Sequence, residues 1–426
     1  MFNAFRQLTG RLFQVERHEF AAAGLSFLFV LTLMVAYYLL RPVRDAMASD
    51  WSDTELSWLW TLNFFLSVTL LLLYGQVVAR TGVRKLVPGV YLFFSASFLL
   101  FHLATHWLED TRLIDQSFYI WVSFFSLFHI SVFWSFMSDI YNSVQAKRLF
   151  GLFAAGAGIG AVLGPIVPLL LSTMFGVYNL LLIAALLLLL ITPIIRFLQR
   201  TSAQAAAVTA GSYVPGDVIG GDFFDGFSRL LSDRFLLGIA LFVLLYTVMS
   251  SFVYFELKNV MTEYERATRS HYWAMIDLVV NSLAILTALV ATSRLATRFS
   301  LAFVLALVPA LLVVGWLAVA LSPGLVLLIG LQIVRRAGNY AITRPGREML
   351  FTGVTRNTRF KTKPVIDVVV YRGGDVLAGW SYTWLAQGVG LGLGAIALVA
   401  ALLALLWTLT GIVLGRVYEH HCPENP

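Results

Sequence analysis

Charged residues are scarce in this sequence. Asp, Glu, Lys and Arg make up 12% of its 426 residues, whereas a soluble domain carries about 25%. Hydrophobic residues account for 59%. The chain also has a single cysteine, Cys422, which excludes an intramolecular disulfide. The composition therefore indicates a protein that spans a membrane and excludes a soluble globular domain.

Catalytic sequence motifs are missing as well. The chain has no G-x-S-x-G elbow, no H-E-x-x-H zinc motif and no Walker lysine. Glycines crowd in GLFAAGAGIGAVLGP, 151–165, and in GVGLGLGA, 388–395. A phosphate loop needs a preceding strand, and small residues in an apolar run are typical of close helix packing. We therefore expect no enzymatic activity, no cofactor or metal, and no ATP hydrolysis as the energy source.

Long apolar runs recur about twelve times, each near the roughly 20 residues that a membrane helix needs. A polar, Gly- and Ala-rich interval, 198–233, separates six runs from six. We predict an all-α membrane protein with two six-helix bundles, 1–197 and 234–426, joined by this interval as a cytoplasmic linker. The predicted spans are 20–43, 56–79, 86–107, 117–140, 149–173, 177–197, 234–258, 270–292, 299–320, 323–345, 364–386 and 390–415.

Lysine and arginine are concentrated in alternate loops, which sets the predicted orientation. Loops such as 75–87 and 291–303 are basic, whereas 50–55 and 108–115 are mainly acidic. With the basic loops inside, both termini are cytoplasmic. The net charge of +7 then follows from this bias and needs no nucleic-acid partner. The N-terminus lacks a short apolar core with a cleavage site, so we expect no signal peptide.

The two predicted bundles also have similar segments at corresponding positions. The loop GQVVARTGVRKLV, 75–87, corresponds in position to ATSRLATRFSLAF, 291–303, and 139–151 corresponds to 340–352. Parallel six-helix repeats are the architecture of the major facilitator superfamily, whose halves rock about a central site. The first loop resembles that superfamily's cytoplasmic loop signature. This resemblance implies a gating role for Gly75, Arg80, Gly82, Arg84 and Lys85.

Ionisable residues lie inside or at the ends of several predicted spans, where they are costly unless they face a partner or a hydrated cavity. Arginine outnumbers carboxylate among them. Because arginine pairs bidentately with phosphate and stays charged, the surplus indicates an anionic ligand. Internal salt bridges and helix-end snorkelling are the alternative. The residues are Arg41, Arg44, Asp45, Asp139, Glu256, Lys258, Asp277, Arg335, Arg336, Arg344, Arg347, Asp367, Arg372 and Asp375.

Five stretches together resemble the nucleotide transporter family, the ATP/ADP translocases of plastids and intracellular bacteria. The strongest are the P-x-[basic]-E-M string at 345–349 and the K-x-K-x-x-x-D-V-V string at 361–369. The resemblance implies that four charged residues are needed for nucleotide exchange, with Arg336 as a further basic group. The stretches are YYLLRPVRDAM, FWSFMSDIYNSVQAKRLFGLF, VYFELK, VRRAGNYAITRPGREMLF and RFKTKPVIDVVVYRGGD, and the four residues are Arg44, Asp139, Glu256 and Arg347.

The sequence departs from that family at four of these positions. The family pattern has lysine where Arg44 and Arg347 stand, and it has the opposite charge at Arg344 and Asp375. Lysine and arginine are not equivalent at a bidentate site. A bacterial branch with another anionic substrate is therefore an open alternative.

We expect an alternating-access carrier in a bacterial inner membrane that acts as a monomer and exchanges an anionic small molecule, foremost ATP and ADP. Lys258, Arg372, Tyr340 and Tyr371 are further candidate substrate-binding residues, and Asp367 is a candidate gating residue. The tyrosines are able to stack on a base or to pack with hydrogen-bonded hydroxyls. Two alternatives stay open: a proton-coupled carrier of a non-nucleotide substrate, and a membrane receptor that binds without transport.

Overall fold

The computed structural model describes residues 15–421 except 17–18, 82, 142, 209–224, 291–298, 356–357, 359–360 and 364. These described residues contain helices and connections but no strand. The prediction of an all-α protein is therefore confirmed for this part of the chain.

Fourteen α-helices run through the described residues, and we number them in chain order. They are α1 (Phe20–Met47), α2 (Asp53–Thr81), α3 (Val83–Trp107), α4 (Arg112–Ile140), α5 (Ser143–Phe175), α6 (Asn179–Val208), α7 (Asp225–Ser232), α8 (Arg234–Val260), α9 (Arg266–Val290), α10 (Leu301–Leu321), α11 (Leu325–Gly338), α12 (Arg344–Leu350), α13 (Tyr371–Thr383) and α14 (Leu393–His421).

Local sequence explains several helix boundaries. The Asp233 carboxylate caps α8 by accepting hydrogen bonds from the backbone N–H groups of Phe235 (2.8 Å) and Leu236 (3.4 Å). Ser300 caps α10 in the same way, through Phe303 N at 3.3 Å. Gly176 follows α5 with φ +75°, a left-handed conformation that glycine adopts without strain and that ends the helix.

Three π-helical segments interrupt the helices near the C-terminal end of the chain: Asn339–Thr343, Val365–Val370 and Trp384–Gly388. The first joins α11 to α12, and the second leads into α13. Such wide turns are rare and occur often at functional sites. The tenth and eleventh predicted spans are therefore irregular helices rather than uniform ones.

Helices cover each of the twelve predicted runs. In the described part of the chain, nine helical stretches are long and apolar enough to cross a membrane, which confirms a multi-pass membrane protein. The first of them, Phe20–Asp50, extends past the predicted boundary at residue 43. The total of twelve spans stays a prediction.

The chain divides into two compact units. The first consists of Met1–Ala48, Phe65–Val214 and Tyr264–Leu278, and the second of Ser49–Phe64, Pro215–Glu263 and Val279–Pro426. The start of α2 thus belongs to the second unit, and the start of α9 belongs to the first. The predicted division at a linker over 198–233 stays a prediction, and residues 209–224 of that linker lie outside the described part.

In the first unit, small residues let α5 approach α1 closely. A Cβ added to Gly160 would lie 2.5 Å from the Leu31 carbonyl oxygen, and one added to Gly164 would lie 2.6 Å from Tyr38 Cβ. The packing interpretation of 151–165 is confirmed at Gly156, Gly160 and Gly164, whereas a Cβ on Gly151 meets no atom within 4 Å. For 388–395 it is wrong at Gly388 and Gly390, because Gly388 ends a π-helical segment and Gly390, with φ +76°, lies in the break before α14.

In the second unit, α14 packs against α10 in a similar way. A Cβ on Gly415 would overlap the Ala302 backbone, and one on Gly411 would lie 3.1 Å from the Leu305 carbonyl. Gly374 lets α13 contact Thr247 of α8, where a Cβ would overlap the threonine hydroxyl. Each unit is therefore stabilised by tight contacts between its own helices.

We predict that Gly160→Ala lowers the free energy of unfolding by about 1–3 kcal/mol, because the added Cβ forces α5 away from the α1 backbone. The matched control is Gly151→Ala on the same helix, where a Cβ meets no atom within 4 Å. That control is expected to be neutral or stabilising by up to about 1 kcal/mol, since alanine has the higher helix propensity. Thermal unfolding of the purified variants in detergent tests this, and equal melting temperatures for both would contradict it.

Candidate functional site

Buried ionisable side chains form separate clusters in the two units. In the first unit, the cluster lies where the end of α1 meets α9. The Asp45 carboxylate contacts Arg44 Nη2 at 2.6 Å and Arg41 Nε at 3.7 Å. Arg41 Nη1 also lies 3.5 Å from Asp277 Oδ1 on α9. The extension of the apolar helix through two arginines and an aspartate is therefore explained by an ion network that joins the two helices.

Arg44, a predicted ligand of the anion, has neighbours of its own in this unit. Its guanidinium hydrogen-bonds Asp45 and lies over the Tyr119 ring, 5.4 Å from the centroid. Two cations and two carboxylates meet in this cluster, so it is close to neutral. Asp139, the second predicted residue from this unit, lies exposed at the end of α4. Substrate binding by Arg44 and Asp139 stays a prediction.

In the second unit, Arg335 on α11 is buried, with 4% of its surface exposed. Its Nε and Nη2 donate to Gln332 Oε1 at 3.1 and 2.8 Å, and its Nη1 donates to Ser250 Oγ at 2.9 Å. The guanidinium also lies 5.9 Å from the centre of the Tyr246 ring on α8. All of these contacts are to neutral groups. No carboxylate of the described residues lies within ion-pairing distance of Arg335.

Four of the predicted substrate-binding residues gather around Arg335. Arg336 follows it on α11 with 2% of its surface exposed. Tyr340, in the first π-helical segment, and Tyr371, at the start of α13, lie within electrostatic reach of the Arg335 guanidinium. Tyr371 is also 6.0 Å from Tyr246, ring centre to ring centre. Arg372 completes the group through its interactions with Tyr371 and Asp375. The arginines outnumber the one carboxylate of this group, Asp375, which Arg372 and Arg335 both attract.

Lys258 and Glu256, both predicted substrate ligands, lie near the end of α8 beside the start of α2. Lys258 Nζ contacts Asp53 Oδ1 at 2.7 Å and donates to the Trp51 carbonyl at 2.8 Å. Glu256 is buried, and Tyr382 on α13 lies beside it. The Lys258 charge is therefore balanced within the protein, and it is less suited to hold a ligand than Arg335.

Arg347 belongs to a third cluster, at α12 and the second π-helical segment. Its Nη2 lies 2.8 Å from Glu348 Oε1 and 3.2 Å from Asp367 Oδ1. Glu348 also pairs with Lys363. Arg347 and Lys363 pair with these two carboxylates, and Arg344 also attracts Asp367. The network joins α12 to the helical segment around Asp367. Substrate binding by Arg347 and gating by Asp367 stay predictions.

The predicted gating loop lies largely outside the described side chains. Gly75 and Arg80 lie in the backbone of α2, and Arg84 and Lys85 lie in that of α3. Gly82 lies outside the described residues. Their gating role stays a prediction.

Sequence reasoning included Arg335 among the intramembrane charges that indicate an anionic ligand but did not select it as a substrate-binding residue. It missed Gln332, Ser250 and Tyr246. Helical spacing could have identified Gln332, because residues three apart share a helix face, and a glutamine in an apolar run needs a polar partner. Ser250 and Tyr246 lie on another helix, and no local pattern places them beside α11. Tertiary packing alone brings them there.

The chain matches one known family and shares its fold with solved transporters. Residues 24–345 match the model of the Major Facilitator Superfamily. A bacterial homolog of the human lysosomal transporter Spinster, inward-facing and unoccupied, is similar with a TM-score of 0.59 and 13% identity over 94% of this chain and 97% of that one. No curated protein matches the chain.

Two further structures are similar at the same level. A POT family transporter in complex with 5-aminolevulinic acid has a TM-score of 0.63 and 13% identity, covering 93% of this chain and 96% of that one. A mutant of the nucleoside transporter NupG has a TM-score of 0.63 and 12% identity, covering 93% and 98%. At these identities the likeness establishes a common fold.

We predict that Asp45→Asn destabilises the protein by about 3–5 kcal/mol, because the substitution leaves the Arg41 and Arg44 guanidiniums without their shared buried carboxylate. The matched control is Asp110→Asn, at an exposed position where the side-chain oxygen accepts a hydrogen bond from Arg112 N. An asparagine keeps that bond, so little change is expected. Thermal melting of both purified variants tests this prediction. An unchanged melting temperature for Asp45→Asn would show that the ion network around Asp45 does not stabilise the protein.

Proposed function

Because the chain belongs to the Major Facilitator Superfamily, we propose that it moves an anionic, phosphorylated solute across a membrane by alternating access. The chain is a membrane transporter of this superfamily. For the substrate, we propose nucleotides of the ATP and ADP type, which the protein would exchange across the membrane. This proposal rests on the chemistry of the Arg335 group.

One observation carries the proposal: a buried guanidinium on a membrane-spanning helix has only neutral hydrogen-bond partners, and the one carboxylate that it attracts, Asp375, is shared with Arg372. Removing an ion from water costs several kcal/mol even after relaxation, and a neutral amide or hydroxyl offsets little of that cost. At Arg44 and at Arg347, carboxylates supply the compensation. At Arg335, a bound anion would supply the compensating negative charge.

Phosphate suits this group better than a single carboxylate does. Arginine donates in a planar fork that matches phosphate oxygens, and it stays charged at every working pH. Arg336 and Arg372 place two further guanidiniums near Arg335. Several adjacent cations call for a ligand with more than one negative charge, and a nucleotide di- or triphosphate meets that requirement.

The surrounding tyrosines support a ligand with an aromatic base. Tyr246, Tyr340 and Tyr371 all interact electrostatically with Arg335. Rings of this kind stack on any base, with about 1–3 kcal/mol per base in nucleic-acid complexes. A phosphorylated nucleoside therefore uses both features of the group.

Exchange follows from the same charge balance. Without a ligand, closure would remove water from guanidiniums whose charge is not neutralised, which costs several kcal/mol. A bound anion would neutralise that charge and lower the barrier to reorientation, so loaded carriers would cycle faster than empty ones. Influx of one nucleotide is then tied to efflux of another.

We predict that Arg335→Gln reduces nucleotide counterflow by about 10-fold or more, because a hydrogen bond to a charged group contributes about 1.5–3 kcal/mol. The measurement is uptake of labelled ADP into proteoliposomes preloaded with ATP or ADP. The matched control is Arg416→Gln, which removes one exposed arginine of the second unit and is expected to keep wild-type flux.

The melting temperature without nucleotide separates a binding role from a structural one. If Arg335 serves a ligand, the empty Arg335→Gln protein melts at or above the wild-type temperature, and added ADP no longer stabilises it. No counterflow by the wild-type protein would refute nucleotide exchange. Binding of ADP without flux would instead favour the receptor.

A further inference from the structure

Gln332 occupies one edge of the Arg335 guanidinium. Nε and the adjacent Nη2 form this edge, and both donate to a single acceptor, Gln332 Oε1, at 3.1 and 2.8 Å. Two parallel N–H groups of this kind match two oxygens of a carboxylate or a phosphate. A neutral amide oxygen therefore lies where an oxyanion would make a bidentate contact with Arg335.

Helix geometry places Gln332 there. Gln332 and Arg335 are three residues apart on α11, so their side chains lie on the same face of the helix, and both are buried. A buried guanidinium needs hydrogen-bond acceptors, and a buried carboxamide needs a partner for its oxygen. Each of the two side chains thus satisfies the other within one helix.

The opposite side of the Arg335 guanidinium is held by a different helix. Nη1 donates to Ser250 Oγ at 2.9 Å and lies 3.5 Å from the Tyr246 hydroxyl, and both residues belong to α8. The Tyr246 ring centre is 5.9 Å from the guanidinium carbon. A ligand at the Nε–Nη2 edge therefore displaces Gln332, while the contacts between Arg335 and α8 stay in place.

Charge decides which acceptor the Nε–Nη2 edge prefers. Hydrogen bonds between a guanidinium and an ionised acceptor are roughly twice as strong as bonds between neutral groups. A displaced carboxamide is not left unsatisfied, because it carries two N–H donors and can turn them toward the anion. The exchange of Gln332 for an anion is therefore favourable, and the amide can return to Arg335 when the anion leaves.

We propose that Gln332 competes with the transported anion for the Nε–Nη2 edge of Arg335 and thereby assists release of the anion. A carrier has to bind its solute on one side and release it on the other, and an acceptor on the same helix replaces the departing oxygens. The inference rests on the proposed function, because it requires that Arg335 binds the anion. It adds a residue that lowers the affinity of the site.

The alternative is that Gln332 stays in place and only orients Arg335, with the ligand bound at the Nη1–Nη2 edge. The two roles predict opposite effects of removing the amide. Loss of a competitor strengthens anion binding, whereas loss of an orienting partner weakens it. The direction of the change in affinity therefore separates them.

Isothermal titration calorimetry of the purified protein with ADP and with inorganic pyrophosphate measures that direction. Gln332→Leu and Gln332→Met remove the amide but keep side chains of similar size. Both variants should bind the two probes about 10-fold more tightly than wild type, because the anion no longer displaces a hydrogen bond to a charged group. Gln332→Glu places a carboxylate beside Arg335 and should bind both probes at least about 10-fold more weakly.

The matched controls are Gln387→Leu and Gln387→Glu, at an exposed glutamine of the second unit, and they should keep the wild-type affinity. A double variant shows whether Gln332 acts through Arg335. In the Arg335→Gln background, Gln332→Leu should no longer raise the affinity for pyrophosphate, since the competition needs the guanidinium. A rise of the same size in that background would overturn the proposal.

The melting temperature without ligand provides an independent readout. Gln332→Glu should melt above wild type, because its carboxylate supplies the charge that the buried guanidinium lacks among its hydrogen-bond partners. A lower melting temperature for Gln332→Glu than for Gln332→Leu would contradict the assigned contact between residue 332 and Arg335.

Transport assays separate this inference from the proposed function. In proteoliposomes, Gln332→Leu should reach half-maximal ADP counterflow at a lower ADP concentration than wild type, with a lower maximal rate because release is slower. Unchanged or weaker binding by Gln332→Leu, with intact wild-type counterflow, would overturn the role of Gln332 alone. A wild-type protein that binds pyrophosphate but not ADP would refute nucleotide exchange and leave the Gln332 test valid. No binding of either probe to wild type or variants would overturn both.

Discussion

The cost of holding an ionised group away from water governs this structure. Its helices are apolar enough to cross a membrane, yet they carry arginines and carboxylates at buried positions. At two positions the protein balances these charges internally, as in the contacts of Asp45 with two arginines and of Arg347 with two carboxylates. Internal balance of this kind holds helices together but leaves little charge for a ligand.

Arg335 and Glu256 are the positions where that balance is incomplete. The first is a buried cation with neutral contacts, and the second is a buried carboxyl whose charged neighbour is another carboxylate. An anion is the partner that the surroundings of Arg335 favour. Both residues lie in the second unit, on α11 and α8. A tyrosine lies beside each of them, Tyr246 beside Arg335 and Tyr382 beside Glu256.

Helix irregularity accompanies the Arg335 group. One π-helical segment contains Tyr340, and another ends just before Tyr371. A wide turn rotates the side chains that follow it relative to a regular helix, so it changes which residues meet across the unit. Elsewhere the packing is close and regular, with Gly160 against α1 and Gly415 against α10. Close glycine contacts thus join regular helices within each unit, whereas the Arg335 group lies on the less regular helices of the second unit.

Hydropathy, small-residue spacing and intramembrane charge are local properties. The membrane class, the helical structure, the close packing at glycines 156–164 and four neighbours of Arg335 could therefore be predicted from the sequence. The sequence could not show every partner that neutralises each arginine. Arg44 and Arg347 are each followed in the sequence by the carboxylate that pairs with them, whereas Arg335 is followed by another arginine. Packing adds the partners from other helical segments, Asp367 at Arg347 and Ser250 at Arg335.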